Sequence, residues 1–103
     1  MLMGEFMADS ERINLCREHC EAARGAAKVA TGAHGECELA AERGEISIAT
    51  AWSNVAMMAA TAAVAHAEAA VQAASSSPDA ARAVEWSRVA SEQAIRASQL
   101  VML

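Results

Sequence analysis

A chain of 103 residues fits one domain, and its net charge of −5 argues against nucleic acid or an anionic membrane surface as partner, since both call for basic stripes. Hydrophobic residues make up 54% of the sequence but aromatics only 3%, and alanine is the commonest residue, so the apolar total conceals a thin core. Small domains with thin cores are commonly completed by oligomerisation, which sets the expectation of a homo-oligomer.

The opening Met1-Leu2-Met3-Gly4-Glu5-Phe6 reads as a cloning leader, because Glu-Phe is what a common restriction-site junction encodes and Met7 makes a natural start. That leaves 7–103 as a single helical domain. The leader lacks the basic region and apolar run of a secretory signal, and three cysteines are an odd number for a disulfide framework. Both features point to the reducing cytoplasm.

A first helix is predicted over about 9–31, with Asp9 or Ser10 as N-cap and Glu11 in the first turn. Ile13, Cys16, Cys20, Ala23, Ala27 and Ala30 recur at alternating spacings of three and four, which is the a/d pattern of a coiled-coil face. Gly32 and Gly35 flank His34 and predict the end of that helix, with Gly32 just past it and His34 in a loop, although the heptad register continues through His34, Cys37, Ala41 and Gly44, so a single bent or nearly continuous helix is the alternative. A second helix follows over about 36–75, and carrying the heptad register forward places Ile48, Val55, Met58, Ala62 and Ala69 on its inner face. Gly44 is a second candidate break. Ser77-Pro78-Asp79 is the clearest punctuation in the chain: an N-cap serine, proline in the first turn, and an acid against the helix dipole, opening a third helix over about 78–100.

The expected fold is therefore all-α: an antiparallel helical bundle of three helices, or four if Gly44 divides the long one, with an alanine-rich coiled-coil-like seam completed by oligomerisation. Between Glu45 and Glu68 no aspartate, glutamate, lysine or arginine occurs, a length sufficient to span a bilayer. Ser47, Thr50, Ser53, Asn54 and Thr61 interrupt that run, and neither end carries a lysine and arginine excess or an aromatic belt. A bundle helix is expected there, and no membrane.

The side chains with ligand chemistry are Cys16, His19 and Cys20 on one helical turn, then His34 and Cys37, with Met57, Met58 and His66 on a helix that can fold back toward them. Thiolates beside imidazoles suit copper or zinc. The competing reading is packing, because Cys16, Cys20 and Cys37 all stand where the seam calls for small apolar side chains.

No glycine-rich phosphate loop, G-x-S-x-G motif or carboxylate and histidine pair with di-iron spacing is present. Arg12 and His19 have the R-x6-H spacing of HEPN-type ribonucleases, but Ile13 stands where that family has a polar residue. Trp52-Ser53-Asn54 is similar to the turn of WXG-type helical hairpins, with Asn54 in place of the glycine. Neither family is assigned, and no enzymatic activity is expected.

The reading that remains is an acidic protein-protein interaction module: an inhibitor, an antitoxin-like partner or an assembly subunit. It would self-associate and engage an unidentified protein through Ile13, Ala23, Ala27, Ala30, Val55, Met58, Ala62 and Trp86, the last as a hot-spot anchor. The alternative is a cytoplasmic copper- or zinc-binding bundle, sensor or store, using Cys16, Cys20 and Cys37 with help from His19 and His34.

Overall fold

A computed structural model describes residues 8–102, all helical apart from two short turns and the terminal residues. The leader assigned to 1–6 lies outside the described residues. Three helices follow one another: α1 (Asp9–Glu42), α2 (Ile46–Ala74) and α3 (Pro78–Val101), each packed on both of the others. The turns span only three residues each, so α2 folds back along α1 and α3 back along α2. Contacts between α1 and α3 rise together along both helices, Arg17 with Asp79, Arg24 with Trp86 and His34 with Gln93, so these two run parallel.

The first helix is longer than its glycines suggest. It begins at Asp9, with Ala8 rather than Asp9 or Ser10 at the N-cap and no side-chain cap, while Asp9 pairs with Arg12 one turn on. It then passes through Gly32 and Gly35 without a break and ends at Glu42. Each interior glycine costs about 1 kcal/mol relative to alanine. That cost is outweighed because Ala30, Ala33, Cys37 and Ala40 continue the buried line across the glycines, and tertiary packing overrides local propensity.

The reversal falls instead at Gly44. Its φ of +74° lies in the left-handed region, the Gly44 N–H donates to the Ala41 carbonyl at 3.1 Å, and the Glu45 N–H donates to the Ala40 carbonyl at 2.9 Å. This is a Schellman ending, which satisfies carbonyls that the helix leaves open. Gly44→Ala should therefore destabilise the fold by about 1 to 2 kcal/mol. Gly32→Ala and Gly35→Ala should each stabilise it by about 0.5 to 1 kcal/mol, because an added Cβ meets nothing within 4 Å. Urea titrations of the three variants would check the opposite signs.

The second turn forms as its sequence implies. The Ser77 hydroxyl accepts from the Asp79 N–H at 3.2 Å, Pro78 opens the helix, and Asp79 sits in the first turn with Arg82 at 3.7 Å and Arg17 at 3.9 Å.

The core between the helices is built almost wholly from alanine. Cys16 and Cys37 are the largest fully buried side chains among the described residues. On α2 the buried line is Ala49, Ser53, Ala56, Ala60, Ala63, Ala67 and Ala70, one position on from the register that carries Ile48, Val55, Met58, Ala62 and Ala69 inward. The Arg43–Glu45 turn resets the helical phase, so a register read on α1 does not transfer to α2. Helices meeting through alanine approach more closely than helices meeting through leucine, and a closely approached seam has no room for isoleucine or methionine. The result is a long molecule of 55 × 24 × 15 Å with a radius of gyration of 16.3 Å, against about 13 Å for a compact domain of this length.

Candidate functional site

Cys16, Cys20 and Cys37 lie on the inner line of α1 and are all free thiols. The Cys16 and Cys37 thiols point at carbonyls of the opposite helices, Ala74 at 3.9 Å and Ala97 at 3.5 Å. Cys37 is 21 residues from Cys16 on the same helix, about 31 Å along its axis, so the three cysteines do not share one coordination sphere. Among the described residues no group of three or more histidine, cysteine, aspartate or glutamate side chains converges.

Burial pushes the Cys20 thiol above its ordinary value, with the Asp79 carboxylate adding to the effect, and burial does the same for Cys37, helped by Glu38. Both changes disfavour the thiolate, which is the nucleophile and the metal ligand. A thiol reagent at pH 8 should label the folded protein at least about tenfold more slowly than the protein in 8 M urea, where burial is lost. Equal labelling rates in the two conditions would show that the cysteines are accessible.

The histidines are tertiary contacts. His34 is part of α1, not of a loop, and its Nδ1 lies 2.8 Å from Gln93 Oε1 on α3, with Glu38 one turn on at 4.0 Å from Nε2. His19 faces His66 across the α1–α2 contact, with Nδ1 to Nδ1 at 3.0 Å and ring centroids 5.2 Å apart. Both rings are half-buried.

The residues expected at an interface divide into two sets. Ala23, Ala27 and Ala30 are buried within the chain's own core. Val55 packs half-buried against it, and half-buried Trp86 bridges its two clusters beneath the Arg24 guanidinium, 5.9 Å from the ring centroid. These side chains are engaged inside the molecule. Ile13, Met58 and Ala62 are exposed.

Large apolar side chains are instead concentrated outside the helices. Met57, Val64 and Val71 recur every seven residues along α2, and each is more than a third exposed. They line two shallow grooves between α2 and α3, together with Val84 and Ile95 and the small polar Ser87, Ser91 and Ser98. The serines keep the stripe low in charge without interrupting it, and Glu68 and Gln72 mark its edge at one end.

By length and composition alone α2 could cross a bilayer, with 28% of its most apolar window buried within the chain, although Thr50, Asn54, Thr61 and Glu68 are exposed on one side of it. The opposite character appears at the α1–α2 turn, where Glu36, Glu38, Glu42 and Glu45 are all exposed.

Two features of this arrangement escape a reading along the chain. His66 meets His19 because the chain folds back near Gly44, and the two positions lie at similar distances from it. That relation was available once Gly44, not Gly32, was taken as the turn. The Met57, Val64, Val71 stripe is a second heptad line on α2, lying between its buried alanine line and its polar line of Ser47, Asn54, Thr61 and Glu68. No protein-family model, curated protein or solved structure matches the chain.

Proposed function

We propose that the chain is a self-associating interaction module: a second copy covers the outer face of the α2–α3 pair, and the acidic α1–α2 end is left free for a protein partner. The observation that carries this reading is the inverted distribution of side chains. Alanine, cysteine and serine fill the core, while large apolar side chains are exposed on all three helices, and Met57, Val64, Val71, Val84 and Ile95 among them line the α2–α3 grooves. Soluble monomers rarely keep contiguous apolar patches beyond a few hundred Å² in water.

The α2–α3 face runs about 40 Å along α2, long enough for a second copy to lie against it. Burying it would supply the apolar area that an all-alanine core lacks. A homo-oligomer built this way is a scaffold for assembly, or holds an inhibitor or antitoxin-like surface in fixed geometry.

Sedimentation equilibrium from 1 to 100 μM, paired with flotation on neutral phospholipid vesicles, tests the reading. The expected outcome is a mass at least twice the 10.7 kDa of the chain, with no flotation. A monomer that floats with the vesicles would assign α2 to the bilayer and overturn it, and so would a monomer that stays in solution at 100 μM.

A further inference from the structure

We propose that His19 and His66 form an interhelical chelate for an exchangeable d-block divalent cation of the zinc, nickel(II) or copper(II) class, clamping α1 to α2. The geometry is that of a bite. The two Nδ1 atoms face each other at 3.0 Å from separate helices. An ion bound at the usual 2.0 to 2.1 Å from each imidazole nitrogen would see them at roughly a right angle, and because the 5.2 Å between ring centroids aims the two nitrogens nearly head-on, each ring must pivot for its lone pair to converge on the ion. The rings are half-buried on regular helices, so the backbone holds the two nitrogens near the spacing a chelate needs while rotation about each imidazole's side-chain bonds sets their direction.

Without metal the 3.0 Å contact is a hydrogen bond in which one ring carries its proton on Nδ1 and donates to the bare Nδ1 of the other. With metal both Nδ1 lone pairs are given to the ion. The donor ring then moves its proton from Nδ1 to Nε2 through solvent, and both rings stay neutral, so binding needs a tautomer change and no net loss of a proton. No third histidine, cysteine or carboxylate joins the pair among the described residues. Water completes the coordination, which makes the site open and exchangeable, in contrast to the closed four-ligand sites of structural zinc. The cation class follows from the donors: two imidazoles suit borderline transition metals and leave magnesium and calcium, which take oxygen ligands, unbound.

This site is distinct from the cysteine set, because Cys20 and Cys37 are buried on the inner line of α1 while His19 on α1 and His66 on α2 are half-buried at the flank of the α1–α2 contact. It is also independent of self-association, since neither histidine lines the α2–α3 grooves.

The test uses the full chain stripped of metal with chelator and titrated with zinc chloride at pH 7.5, followed by thermal unfolding. Zinc in tenfold excess over its dissociation constant should raise Tm by about 5 °C or more, and magnesium chloride should leave it unchanged. His19→Gln and His66→Gln should each abolish the zinc shift, whereas a Cys16→Ala, Cys20→Ala double variant should retain it. The electron paramagnetic resonance spectrum of the copper(II)-loaded wild-type chain should show two equivalent nitrogen ligands, a readout that does not depend on whether the histidine variants fold. A wild-type Tm indifferent to zinc, a shift that survives both histidine substitutions, or a copper spectrum dominated by sulfur would each overturn the proposal.

Discussion

Replacing Ala63 by leucine should lower the unfolding free energy by about 2 to 3 kcal/mol, and the same substitution at Ala62 should change it by less than about 0.5 kcal/mol. The two residues are neighbours of the same type with equal helix propensity, so the difference reads packing alone. Ala63 is fully buried in the main core cluster, between helices whose facing residues are themselves alanine, and three extra carbon atoms there must push α2 outward. Ala62 is exposed and leucine can extend into solvent. In a chain of this size the Ala63 variant should melt about 8 °C or more below the wild type. Circular dichroism melts of the two variants would read this directly, and equal losses would restore the register in which Ala62 faces the core.

The second large effect concerns assembly. If the chain self-associates as proposed, Val64→Asp combined with Ile95→Asp should return it to monomer while leaving helicity intact. Val64 is 40% and Ile95 56% exposed, so the isolated chain tolerates a carboxylate at either position. At an interface formed with a second copy, each carboxylate would be desolvated against apolar side chains without a partner, at a cost of several kcal/mol. A loss of about 2.7 kcal/mol already weakens a dissociation constant a hundredfold. Sedimentation equilibrium at a concentration where the wild type is associated should therefore return 10.7 kDa for the double variant. An unchanged mass would place the contact elsewhere on the molecule.

Much of the secondary structure was legible because its signals are local. The start of α3 follows from Ser77, Pro78 and Asp79 alone, since capping and dipole effects act within one turn. The inner line Cys16, Cys20, Ala23, Ala27, Ala30 and Cys37 follows from periodicity within a single helix. The competing glycines were not separable this way. Gly32, Gly35 and Gly44 carry the same local weight, and the choice among them depends on whether the apolar line continues beyond the glycine and meets a partner helix. Beyond Gly32 and Gly35 it does, in Cys37 and Ala40, and beyond Gly44 the chain turns back.

The candidate sites show the same limit. The inward face of α2 is marked only by the exposed polar line Ser47, Asn54, Thr61 and Glu68 on the opposite side, and a register carried forward from α1 does not use it. The side that packs on α1 and α3 is the one lined by alanine. The histidine pair depends on that choice of face as well as on the turn, since a rotation of α2 by one residue would carry His66 about 100° away from His19. From sequence alone came an all-helical chain with a secure third helix, because helix propensity and capping are properties of neighbouring residues. Tertiary structure alone decided that α1 runs unbroken to Glu42, that alanine packs inward while valine and methionine face out, and that His19 meets His66. Each of these depends on the distance between helices, which no single segment of the chain contains.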